Sequence, residues 1–169
     1  LAAFGSFGFC KAHGAAFAVP TYHSAWLKAH HPEAFLAGIW EHDPGMYPKR
    51  LLVAEARRMG IEILPLDINR SAPGYKVERL DGLLPPAQLP VVPRAVGAAP
   101  PGRYGIRISL RGIRGVSERE VSRVAAGQPY DSIADVRARS GLTRTSLNHF
   151  AALGAFDSLQ ADVGRGNRA

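Results

Sequence analysis

Apolar positions over the first sixty residues recur at helical rather than strand spacing. Ala12, Ala15, Ala16 and Phe17 open the series, and Trp26 and Leu27 continue it. They predict a helix over residues 11–30, which Pro20 should kink or restart. Pro32 suits the first position of a second helix, over 32–40. Asp43-Pro44-Gly45 marks a turn. Pro48 opens a third helix with Leu51, Leu52, Ala54, Ala56 and Met59 at helical spacing, and Gly60 stops it. Phe17, Trp26, Phe35 and Trp40 fall on one stripe and predict a core face. Residues 61–64 read as a short strand, and residues 75–80 and 104–110 alternate enough to predict two more.

The last third is punctuated by glycine and hydroxyl residues. Gly112-Ile113-Arg114-Gly115-Val116 predicts a glycine-spaced turn. Ser117-Glu118-Arg119-Glu120 is a capping-box pattern that starts a helix, and Gly127 ends it. Ser132-Ile133-Ala134-Asp135 is a second such pattern, whose helix closes near Ser140-Gly141. Thr143 can cap a third helix, over 144–153, before the small-residue turn Gly154-Ala155-Phe156. Residues 81–102 hold six prolines and three glycines, which disfavours any regular element and predicts a loop or linker. The expectation is a mainly α fold with a small β component, divided into 1–80, the linker 81–102, and 103–169.

Composition narrows the class. The 169 residues are 46% hydrophobic and 21% charged, which fits a folded globular chain. Its most apolar stretch, 12–27, contains His13, Pro20, Tyr22, His23 and Ser24 and falls short of the roughly 18 apolar residues a membrane span needs. Leu1-Ala2-Ala3-Phe4 lacks the Met and basic region of a secretion signal, and with the open ending 164–169 it reads as a piece of a longer protein. One cysteine, Cys10, leaves no internal disulfide, in keeping with a reducing, cytoplasmic setting. The net charge is +7. Residues 1–102 carry ten basic and eight acidic side chains, and residues 103–169 carry eleven and six, every basic one an Arg. That surplus fits either codon bias or a phosphate-rich partner.

Several residue groups are candidates for chemistry. Glycine in the 112–116 turn would let backbone approach a phosphate, and the capped helix behind it would aim N–H groups at the anion. Arg111, Arg114, Arg119 and Arg123 add charge, and such contacts read the nucleic-acid backbone rather than the bases. The bland alternative is an ordinary turn before a helix. Leu153-Gly154-Ala155-Phe156 reads as a degenerate second hairpin or, better, a packing turn. Gly5-Ser6-Phe7-Gly8 before Lys11 is a possible anion loop, but its spacing is not that of a Walker loop. Cys10, His13 and the His30-His31 pair do not complete a four-ligand metal set. His23, His42 and His149 read as surface or cap residues. No acidic pair among Glu41, Asp43, Glu62 and Asp67 has two-metal spacing, and no complete catalytic centre is present.

Taken in order, Phe7-Gly8-Phe9-Cys10-Lys11-Ala12-His13-Gly14-Ala15-Ala16-Phe17, then 22–32, Ile63-Leu64-Pro65-Leu66-Asp67-Ile68-Asn69, 111–116 and 153–159 resemble bacterial C-family DNA polymerases of the polymerase III alpha-subunit type. His42-Asp43-Pro44-Gly45-Met46-Tyr47-Pro48-Lys49-Arg50 and Cys10 are similar to its error-prone branch. The resemblance implies the end of a helical fingers segment followed by a helix-hairpin-helix DNA-binding domain. It implies template-directed addition of deoxynucleoside triphosphates to a primer end, with Mg2+ held by carboxylates outside this chain. Lys11 and His13 would contact the incoming nucleotide. Gly112, Ile113, Arg114, Gly115, Val116, Ser117, Arg119 and Arg123 would hold the primer–template duplex. A sliding clamp and mutagenesis accessory proteins would be partners of the parent. The rival reading is a non-catalytic helix-hairpin-helix accessory module.

Overall fold

The chain's structure, a computed structural model, describes residues 10–80 and 103–160. The glycine loop before Cys10, the Pro-rich stretch 81–102 and the last nine residues lie outside them. The described elements run α1 (Lys11–His30), α2 (Pro32–His42), α3 (Lys49–Arg58), β1 (Glu62–Leu64), β2 (Lys76–Arg79), β3 (Tyr104–Arg107), a 3-10 turn (Leu110–Gly112), α4 (Glu118–Gly127), α5 (Ile133–Arg139) and α6 (Arg144–Ala152). The mainly α composition with a small sheet is as the pattern predicts.

Two expectations for α1 need correction. Pro20 lies inside the helix, which runs unbroken from Lys11 to His30. No residue of α1 is buried, so the carbonyl left without the Pro20 N–H is open to water, and the Thr21 hydroxyl donates to the Phe17 carbonyl at 2.7 Å beside the gap. The aromatic stripe also divides. Trp40 is buried and Phe35 packs on the core, but Phe17 is 60% and Trp26 43% exposed. Trp26 instead stacks on His30 at 4.4 Å between ring centres.

The sheet has the order β1-β3-β2, with β1 parallel and β2 antiparallel to β3. It therefore draws strands from both sides of 81–102. Ile106 at its centre joins Leu36, Ala37, Trp40, Ala56 and Ile61 in one core. The strand expected over 104–110 ends at Arg107, because Leu110 N–H turns away to the Ala72 carbonyl at 2.9 Å and Ser109 caps the 3-10 turn. Arg107, 4% exposed, forks onto Glu78 and donates to the Pro65 carbonyl at 2.9 Å. Burying an Arg this way is tolerable only because the carboxylate and carbonyl replace its water.

The second core gathers Val121, Val124, Val136 and Phe150 from the last three helices, Leu110, Ile113, Tyr130, Leu142 and Phe156 from the turns around them, and Leu66 and Ile68 from the segment after β1. That segment is fastened by its side chains. Asn69 clamps the Tyr130 backbone with two hydrogen bonds, at 2.8 and 2.7 Å, and Gln128 donates to the Ile68 and Ser71 carbonyls. The sequence 63–69 is thus the strut between sheet and helices.

Candidate nucleic-acid interface

Ile113 is buried and anchors the turn, while Arg114 and Gly115 stand exposed outside it. Val116 N–H closes the turn on the Ile113 carbonyl at 3.3 Å, and Gly115 has φ +82°. A positive φ at the third position of such a turn is the type II geometry that favours glycine. A Cβ there would also come within 3.2 Å of the His149 ring. His149 is thus not the surface or cap residue expected: its Nδ1 is buried under the turn. No hydrogen bond among the described residues occupies the N–H groups of Arg114 or Gly115. Gly112, the other glycine of the motif, has an ordinary φ and only ordinary contacts for an added Cβ.

α4 starts as the sequence pattern requires. Ser117 Oγ accepts the Glu120 N–H, and Glu120 Oε2 accepts the Ser117 N–H at 2.9 Å. The other oxygen of the same carboxylate accepts from the Thr143 N–H at 3.1 Å and the Ser146 hydroxyl at 2.8 Å. Thr143 is the N-cap of α6. One buried carboxylate therefore joins the starts of α4 and α6. The donated N–H groups of Ser117 and Thr143 outweigh desolvation and hold its pKa at about 2.

This pairing exposes a repeat that the sequence reading missed. Gly141, with φ +62°, precedes the cap Thr143 as Gly115 precedes the cap Ser117. The two turns lie 26 positions apart in the sequence, and the offset also matches Leu110 with Val136, Arg111 with Arg137 and Arg123 with His149. The last match is spatially reciprocal. His149 of α6 backs Gly115, and Arg123 of α4 backs Gly141, donating to its carbonyl at 2.7 Å. α5, the Ser140–Thr143 turn and α6 form a full helix–turn–helix. Arg137, Leu142, Arg144, Leu147 and Asn148 line a groove of about 660 Å3 beside it. A family model described as a helix-hairpin-helix motif matches residues 60–165. The chain belongs to the helix-hairpin-helix motif family.

Relatives of this helix-hairpin-helix chain carry a common name. Proteins named error-prone DNA polymerase from Azoarcus sp. (strain BH72), Teredinibacter turnerae and Burkholderia mallei are 39%, 36% and 37% identical to it, each match covering 92% of the chain. The chain spans only about 14% of the length of these relatives. Their names agree with the resemblance read in segments between residues 7 and 159, error-prone branch included.

Apart from Gly112 and Gly115, the predicted site residues fall into four pairs. Arg114 and Arg119 are exposed and have no carboxylate or carbonyl partner among the described residues. Ile113 and Val116 turn their side chains toward the core, so only their main chain faces outward. Ser117 and Arg123 are engaged within the protein, the first in its cap and the second on Gly141. Lys11 and His13 lie apart from these, in the first turn of α1. That helix has no side-chain cap, and His13 packs edge-on against Phe17 at 4.6 Å. Leu153–Phe156 is the packing turn that its sequence favours over a degenerate second hairpin. Ala155 N–H reaches the Phe150 carbonyl and Gly154 N–H the Ala151 carbonyl, the Schellman pattern of a helix end. Arg137, Arg144 and Gly141 were missed because Ser140-Gly141-Leu142-Thr143 carries one glycine and looks like a plain helix stop.

Proposed function

We propose that this chain is the part of an error-prone DNA-directed DNA polymerase that grips primer–template duplex behind the growing end. Residues up to 80 belong to the end of its fingers, and residues from 103 onward form its duplex-binding domain. The carrying observation is the twinned hairpin. Two glycine-turned helix starts are tied by Glu120, and Arg114, Arg119, Arg137 and Arg144 around them have no internal partner among the described residues. Helix N-termini and open backbone N–H groups suit phosphate, and the arginines add charge-assisted bonds. Contacts of this kind fix the duplex without reading its sequence, as a polymerase that must accept any template requires. Arg123 serves by steadying the second turn.

Lys11 and His13 face the incoming deoxynucleoside triphosphate. The start of α1 supports this, since it has no side-chain cap and Lys11 is its first residue, so a cationic side chain and the positive end of the helix belong to one terminus. Two-metal phosphoryl transfer would need clustered carboxylates. Among the described residues no three His, Cys, Asp or Glu side chains gather to hold a metal, so no chemical step is assigned here. No described helix is long and apolar enough to cross a membrane. A DNA partner points to the cytoplasm, and a clamp or mutagenesis accessory proteins would meet the parent elsewhere.

Fluorescence anisotropy with a labelled primer–template tests the grip. Arg114→Ala should weaken duplex binding for every sequence alike and lower the salt slope by about one. Unchanged affinity and slope would sink the hairpin assignment. Lys11→Ala in the full-length polypeptide should raise the KM for nucleotide more than it lowers kcat. Absence of any primer extension by that unmodified polypeptide would favour the accessory module.

A further inference from the structure

The two hairpins are not electrostatic equals. At the first helical position, α6 has Arg144 where α4 has Glu118. Before the turn, Arg137 of the second motif is exposed with no partner among the described residues. Its counterpart Arg111 is clasped twice. Arg111 Nε donates to Glu118 Oε2 at 3.0 Å, and Nη1 donates to Glu41 Oε1 at 3.3 Å. Glu41 is held in turn by the Tyr75 N–H at 2.9 Å. The clasp spans the mouth of the first hairpin, from α2 to the start of α4.

Its two carboxylates differ in setting. Glu41 is 32% exposed and fastened by backbone, whereas Glu118 is 70% exposed and Arg111 48%. An ion pair that open to water is weak and exchanges readily. Glu118 also carries its charge at a helix start, where an incoming phosphate would otherwise find the most favourable field. A phosphate can replace Glu118 on Arg111 without disturbing Glu41, because guanidinium offers five donors in a fixed fork.

Resting on the reading that these hairpins hold duplex phosphates, we infer that Glu118 is a built-in rival of the DNA phosphate. It keeps Arg111 neutralised in the free protein and yields it on binding, so it sets the duplex affinity of the first hairpin below that of the second. Glu41 orients Arg111 in both states.

Anisotropy titrations of the whole chain with labelled duplex, run between about 50 and 200 mM salt, test this. Glu118→Gln should tighten binding about fivefold with little change in the salt slope, because Arg111 meets the phosphate in both complexes and only the carboxylate it must first leave is gone. Adding Arg111→Ala to that variant should remove the gain. Glu118→Asp keeps the charge at the helix start while shortening its reach, and should give part of the gain with an unchanged melting temperature. Binding by Glu118→Gln and Glu118→Asp that is no tighter than the parent's, while Arg114→Ala still weakens it, would overturn the rival role and leave the hairpin reading standing. If Arg114→Ala also has no effect, the hairpin reading falls and takes this inference with it.

Discussion

Two residues show how much of the interface is decided by single atoms. Gly115 combines a left-handed φ of +82° with a His149 ring where its Cβ would sit. Gly115→Ala should therefore destabilise the fold by about 1–2 kcal/mol and weaken duplex binding at temperatures where the chain is still folded. A melting curve beside a binding curve separates the two effects, and an unshifted melt would show that the turn relaxes at no cost. Glu120 is the other. Its folded pKa of about 2 lies below the ordinary 4.5, so its stabilisation is complete above that ordinary value and is lost as pH falls from about 4.5 through about 2. The shift corresponds to on the order of 3 kcal/mol at neutral pH. Glu120→Gln should cost much of that at pH 7 and almost nothing near pH 2. Denaturant midpoints that differ equally from the parent at both pH values would mean the carboxylate's charge is not what joins α4 to α6.

At the scale of elements, helix ends were legible and helix surroundings were not. Pro32, Pro48, Gly60 and the Ser117 box mark real boundaries because each acts through its own backbone or cap. The stripe through Phe17 and Trp26 shows an apolar face but not what covers it, and among the described residues only α2 lies against α1 to any extent. The end of β3 was hidden because Leu110 leaves the ladder for Ala72, a contact nearly forty positions away. The first hairpin was legible from Gly115 and its cap. The second was masked by local resemblance to a helix stop, although a search for the 26-residue spacing would have found it. α1 also yields a prediction. Pro20 removes one hydrogen bond from an exposed helix, so Pro20→Ala should raise helical content and stabilise α1 by up to about 3 kcal/mol. Circular dichroism measures this, and unchanged helicity with an unchanged melt would mean α1 does not unfold with the rest of the chain.

For the whole molecule, the arginine surplus divides in two when the arginines are sorted by their bonding. Nine of those after residue 102 are described. Arg103, Arg107, Arg111, Arg123 and Arg139 are each bonded to a carboxylate or carbonyl of the protein. Arg114, Arg119, Arg137 and Arg144 are exposed with none. Composition alone cannot make that division, because it depends on which guanidinium reaches an acceptor across the fold. The open four flank the two turns, while bonded ones such as Arg107 and Arg139 brace strands and helix ends. The two sets should therefore respond oppositely. Arg114→Ala and Arg144→Ala should each lower the salt slope of duplex binding by about one, and together by about two, since counterion release counts phosphate contacts. Neither should move the melting temperature much, as exposed unpaired charges contribute little to folding. Arg139→Ala removes bonds to the Gly127 and Pro129 carbonyls and to Asp135. It should lower the melting temperature while leaving the slope of the folded chain intact. Should Arg144→Ala leave the slope unchanged while Arg114→Ala lowers it, the duplex meets only the first hairpin. The second turn would then be a packing copy whose groove faces something other than DNA.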